Sequence, residues 1–108
     1  MKILDIHKTI TPDQLLKFLR QKLNPLFKRQ RQSDVSFTIE NKGGVIEISH
    51  PELYETFLFR IEIKGTELLL IRGADYIDDV NALTIESILN ELFEELAGDT
   101  GISFILEG

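Results

Sequence analysis

The chain has 108 residues, 43% of them apolar and 28% charged, with no cysteine and a formal net charge of −6. That length suits one domain around one core, and the balance of apolar to charged residues excludes a disordered chain. Lack of cysteine excludes a disulfide framework and thiolate chemistry.

Met1 to Lys8 alternates weakly, with Ile3 or Leu4 and Ile6 apolar, which predicts a short first strand. Asp5 interrupts this patch, so it does not read as a signal peptide, and no apolar run approaches a membrane span. A cytoplasmic location is therefore expected. Thr11-Pro12-Asp13-Gln14 marks a helix start: Thr as N-cap, Pro at the first helical position, Asp near the positive dipole end and Gln closing a capping box. Leu15, Leu16, Leu19, Leu23, Leu26 and Phe27 follow at helical spacing. Pro25 disfavours helical geometry at Asn24 and predicts an end or kink there.

Asp34 to His50 predicts a hairpin in which Val35, Phe37 and Ile39 alternate with polar residues before Asn41-Lys42-Gly43-Gly44. A turn at Lys42-Gly43 pairs Ile39 with Ile46 and Phe37 with Ile48. Pro51 opposes continuation of that strand. Thr56 to Arg72 predicts a second hairpin with a type II′ turn at Gly65-Thr66, pairing Lys64 with Glu67, Ile63 with Leu68 and Ile61 with Leu70. Its apolar face carries Phe57, Phe59, Ile61, Ile63, Leu68 and Leu70.

Asp78 to Gly98 predicts the second helix, with Ile85, Ile88, Leu89, Leu92, Phe93 and Leu96 on one stripe and Gly98 as C-cap. Asp78, Asp79, Asn81 and Thr84 each qualify as its N-cap. Ile102 to Leu106 predicts a last strand. The expected architecture is a single α+β domain over residues 1–108: a two-layer sandwich with a mainly antiparallel sheet, order β-α-β-β-β-β-α-β, and both amphipathic helices on one face. Phe59, Ile61, Leu70, Leu89 and Phe93 are expected to share one core. The outline resembles βαββαβ domains, from which the extra hairpin departs.

Charge is divided between the halves. Residues 1–50 hold nine Lys/Arg and five Asp/Glu, a net +4, whereas residues 51–108 hold three and thirteen, a net −10. Between Gly73 and Gly108 there are nine acids and no base; between Gln14 and Ser33, six bases and no acid. Such asymmetry points to charged partners. The expected function is a small non-enzymatic protein-binding module of adaptor, chaperone-like, inhibitor or immunity type. Its candidate surface is acidic, comprising Glu86, Glu91, Glu94, Glu95, Asp75, Asp78 and Asp79, and would attract a basic partner. The same carboxylates also serve to solvate a helix face and cap its start. The alternative is a nucleic-acid surface of Lys17, Arg20, Lys22, Lys28, Arg29 and Arg31, with Phe37, Phe57 or Phe59 stacking bases if their sheet face is open. Self-association of the +4 half with the −10 half is a further expectation.

Signs of chemistry are sparse. Serine catalysis needs a base from His7 or His50, and neither lies in a motif. Glycines form no phosphate-cradling loop, and Asp75, Asp78 and Asp79 lack EF-hand spacing, so neither cofactor nor metal is expected. Glu62-Ile63-Lys64 has E-x-K spacing and, with Glu47 as a second carboxylate, resembles the PD-(D/E)xK nuclease motif without its proline-aspartate element. That resemblance implies magnesium at the carboxylates and a lysine that positions water or phosphate.

Overall fold

The computed structural model describes residues 1–74 and 76–107. In chain order the elements are β1 (Lys2–Asp5), α1 (Pro12–Arg31), β2 (Thr38–Lys42), β3 (Val45–Ser49), β4 (Phe59–Lys64), β5 (Glu67–Arg72), α2 (Val80–Ala97) and β6 (Ser103–Glu107), with a 3-10 turn over Gly98–Thr100. The strands form one antiparallel sheet in the order β2-β3-β4-β5-β1-β6. The first strand thus lies between the end of the meander and the last strand.

The β4–β5 hairpin has the expected register, with Lys64 opposite Glu67 and Ile61 opposite Leu70. Gly65 at φ 62 is the turn residue that takes a positive φ, as a type II′ turn requires. The β2–β3 hairpin differs from expectation by two residues: Ile39 faces Ile48, and the turn is Gly43-Gly44. Both glycines have positive φ, 63 and 93, the type I′ requirement that Lys42 would have met poorly. Asn41 Oδ1 also accepts the Gly44 N–H at 2.8 Å. A shift of two preserves the inward face, so the same apolar side chains still reach the core.

α1 begins with the full capping box between Thr11 and Gln14. It does not end at Asn24; it runs through Pro25 to Arg31. The proline removes one ladder bond, but Leu23 and Phe27 on either side are fully buried, and Asn24 is fixed from outside the helix. Its side chain accepts the Phe37 N–H at 2.8 Å and donates to the Phe37 carbonyl at 2.9 Å. Tertiary packing outweighs the local preference.

Both helices cover one face of the sheet. α1 lies over β2 and β3, while α2 reaches β1 and β5 through Glu86 and Asn90. The core between the layers contains Phe59, Ile61, Leu70, Leu89 and Phe93 as expected, together with Leu4, Ile6, Phe27, Ile46 and Ile48. No helix of the described residues is long and apolar enough to cross a membrane.

Candidate interaction surfaces

The carboxylates expected on one acidic surface have different uses. Glu86 projects towards the sheet, because the helix-facing positions of β5 and β1 present Arg72 and Lys2 to α2. Arg72 donates to both of its oxygens at 3.0 and 3.2 Å, Tyr76 donates its hydroxyl at 3.3 Å, and Lys2 lies at 4.0 Å. Its side chain is only 17% exposed. The bond to Glu86 holds the Arg72 guanidinium above its ordinary range, and burial and the Glu86 charge push the Tyr76 hydroxyl up to about 12.

Asp79 is the N-cap of α2. It accepts the Ala82 N–H at 2.7 Å, and its two oxygens accept the Tyr54 hydroxyl at 3.0 and 2.8 Å. Burial, then this hydrogen bond, pushes Tyr54 up to about 12. Glu95 accepts from Lys22 and ties α2 to α1. Asp78, Glu91 and Glu94 are exposed, and their carboxylates make no hydrogen bond or ion pair among the described residues. Asp75 lies outside the described residues.

An apolar component escaped the sequence reading. Ile77, Val80 and Leu83 are 62%, 54% and 50% exposed. On α2 the positions Val80, Leu83, Ser87, Glu91 and Glu94 follow i, i+3, i+7, i+11 and i+14, a single narrow face opposite the buried stripe. Its first half is apolar and its second half acidic. The signal in the sequence was the pair Val80 and Leu83, which falls outside the stripe of core residues.

On α1 the residues Lys17, Arg20, Lys28 and Arg31 recur at i, i+3, i+11 and i+14 beside the edge of β2, a basic line about 21 Å long. Arg20 is partly committed: its Nε donates to the Ile39 carbonyl at 2.8 Å. Lys28 lies 3.8 Å from Asp34. Lys22 turns to Glu95, and Arg29 stands off the line, exposed. The sheet face beneath the helices is closed, with Phe37 and Phe59 buried. Phe57, partly buried, has the Arg60 guanidinium 4.1 Å from its ring. These aromatics do not form an open stacking platform.

The outer face of the sheet holds the carboxylates of the E-x-K reading. Glu47, 7% exposed, accepts from Lys42 at 3.1 Å and from Arg60 at 3.2 Å. Burial raises its pKa, but these two bonds outweigh burial and hold it below the ordinary range. Glu47 and Glu62 line one shallow depression of about 320 Å³, whereas Lys64 stands at the hairpin end opposite Glu67. Among the described residues, no group of three His, Cys, Asp or Glu is arranged to hold a metal ion.

His50 packs edge-on against Phe37, with 5.7 Å between ring centroids, and its buried Nδ1 has no hydrogen-bond partner among the described residues. His7 makes the less expected contact. The β1–β6 register sets Asp5 opposite Ser103, and His7, at φ 57, brings Nε2 to 2.7 Å from Ser103 Oγ and Nδ1 to 3.6 Å from Asp5 Oδ1. This has the order of a Ser-His-Asp relay but not its construction. Asp5 spends the same oxygen on the His7 backbone N–H at 2.8 Å, and Ser103 stands on a strand exposed throughout. Sequence reading had no local signal for a contact spanning 96 residues.

Compared with protein-family models, curated proteins and solved structures, the chain matches none.

Proposed function

We propose that the chain is a small, non-enzymatic protein-binding module of the cytoplasm, acting as an adaptor, chaperone-like protein, inhibitor or immunity-type protein through the exposed face of α2. The observation that carries this reading is Val80 and Leu83, each at least half exposed and followed on the same face of α2 by the exposed carboxylates of Glu91 and Glu94, with Ile77, 62% exposed just ahead of the helix, completing an apolar trio in the chain. Asp78 adds a charge beside the trio. An apolar centre with charge at its margin is the usual anatomy of a recognition patch: the centre supplies affinity, the charges orientation and encounter rate. The partner it fits is a protein whose apolar side chains are bordered by Lys or Arg.

The test uses three baits in extracts of the native host: the parent chain, a Val80→Ser/Leu83→Ser variant, and a Glu91→Gln/Glu94→Gln variant. A protein held by the parent should be lost with the first variant and should associate more slowly, with weaker salt dependence, with the second. Equal capture by all three removes α2 from the interface.

The basic line on α1 supports a second reading. Lys17 and Arg31 have no acidic partner among the described residues, and the line has the length of a few phosphate spacings. If nucleic acid co-purifies with the parent and is lost with Lys17→Ala/Arg31→Ala, this reading replaces the first.

A further inference from the structure

The two edges of the sheet are finished differently. At β2 the edge is closed by α1: Arg20 takes the Ile39 carbonyl, and Asn24 takes both backbone groups of Phe37 just before the strand. Glu40 and Lys42 add charges along it. At β6 nothing comparable occurs. All five residues are exposed, and among the described residues no hydrogen bond outside its pairing with β1 reaches the strand's backbone. Phe104, Ile105 and Leu106 are 49%, 52% and 45% exposed. The strand contains no Lys, Arg or Pro to discourage pairing; its one irregularity is the bulge that leaves Ile105 without a partner on β1.

The outer face of the sheet points the same way. Cross-strand pairs Leu69–Ile3 and Ile3–Leu106 set three apolar residues in one row across the outer face, and the row runs out to the edge strand. Within the row exposure rises from 8% at Leu69, in the interior of the sheet, to 45% at Leu106 on the edge strand, beyond which no further strand of the described residues lies.

We infer that β6 pairs antiparallel with β6 of a second copy about a two-fold axis beside Leu106, joining the two sheets edge to edge. The strand suits its own copy. Leu106 meets the second copy's Leu106, so the outer row continues without a break from one Leu69 to the other. Glu107, the only charged residue of the strand, then falls opposite Ile105, and the two carboxylates lie on opposite sides of the axis. Such a contact is isologous and closes at two copies. It is independent of the α2 surface and of the charge division between the halves.

Sedimentation equilibrium of the full chain tests this, with Leu106→Lys as the disrupting variant. The parent should reach dimer mass at about 100 µM, with little change between low salt and about 0.5 M. Leu106→Lys should weaken association at least tenfold while keeping the parent's circular dichroism. Because the protein has no cysteine, Leu106→Cys provides a second measurement: it should form a disulfide-linked dimer on mild oxidation at least ten times faster than Thr38→Cys on the opposite edge. A monomeric parent, a dimer that dissolves in salt, a dimer untouched by Leu106→Lys, or equal crosslinking from the two cysteines overturns the proposal. So does a monomer that holds a foreign protein through Leu106, since the edge then belongs to another chain's strand.

Discussion

The Asp79 carboxylate receives the Tyr54 hydroxyl on both oxygens while one of them caps α2. One side chain therefore fixes the helix start and the link between β3 and β4 together. Asp79→Ala removes the cap and strands the phenol, and is expected to cost about 2 kcal/mol; Tyr54→Phe loses a single hydrogen bond, about 1 kcal/mol. Urea denaturation of both variants checks the order. If Tyr54→Phe costs more than Asp79→Ala, the cap is not the stronger half of the joint.

The chain's two tyrosines both titrate late, at about 12. The neutral phenol is the form the fold favours. Its contribution to stability is fully present below the unfolded value near pH 10 and is lost as pH rises through the folded value. Tyrosinate absorbance should therefore show no step near pH 10 in the folded protein. A step of one or two residues at pH 10, with far-ultraviolet circular dichroism unchanged, would show Tyr54 or Tyr76 exposed to water.

Glu86 and Glu91 are five residues apart on α2, yet substitutions should separate them. Glu86→Gln removes the charge that Arg72 and Lys2 face, at a cost of about 1 to 3 kcal/mol. Glu91→Gln/Glu94→Gln touches only solvated groups and should stay within about 0.5 kcal/mol of the parent. Thermal melts decide; equal effects from the two would mean that burial does not distinguish these positions.

Glu47 should make the fold acid-sensitive. Its folded pKa lies below the ordinary value, so its stabilisation is present above about pH 4 and is lost as pH falls through that lower folded value. Glu47→Gln is expected to be about 1 to 2 kcal/mol less stable than the parent at pH 7, with the gap closing in acid. Melting temperatures of both proteins from pH 7 to about 3 test this, and a constant gap rules the assignment out.

Two packing substitutions probe the layers. Phe93→Ala should cost about 3 to 5 kcal/mol, because the ring is fully buried between helix and sheet. Gly73→Ala is harmful for another reason: a Cβ there runs into the Phe57 backbone carbonyl, which cannot move aside as a side-chain tip would. About 3 kcal/mol is expected, and a neutral result in chemical denaturation would show that the approach of Gly73 to the segment leading into β4 is looser than described.

What could be read in advance was whatever the chain specifies over a few residues. The capping box at Thr11, the turn at Gly65 and the stripe from Ile85 to Leu96 each carry their own signal, and each forms as expected. The Gly43-Gly44 turn is also local: both of its positions need positive φ, which two glycines meet and a turn at Lys42-Gly43 does not. At Pro25 the local preference is overridden from a distance: Asn24 is held by the backbone of Phe37, and the helix continues to Arg31. Charge was the least legible property: counting acids cannot show that Glu86 meets two bases from β1 and β5, or that Glu95 is taken by α1. Ile77, Val80 and Leu83 became visible only once the core was known to be full without them.

The place of β1 between β5 and β6 governs the order in which the sheet can form. β2 to β5 are neighbours in sequence and can zip as soon as they emerge from the ribosome. β1, made first, has no partner until β5 arrives and is flanked on both sides only after β6 is made, roughly a hundred residues later. Loop closure over that distance is slow compared with hairpin formation. During synthesis, Leu4 and Ile6 remain unsheltered apolar groups, and the nascent chain's exposure to aggregation is set by the time β1 waits.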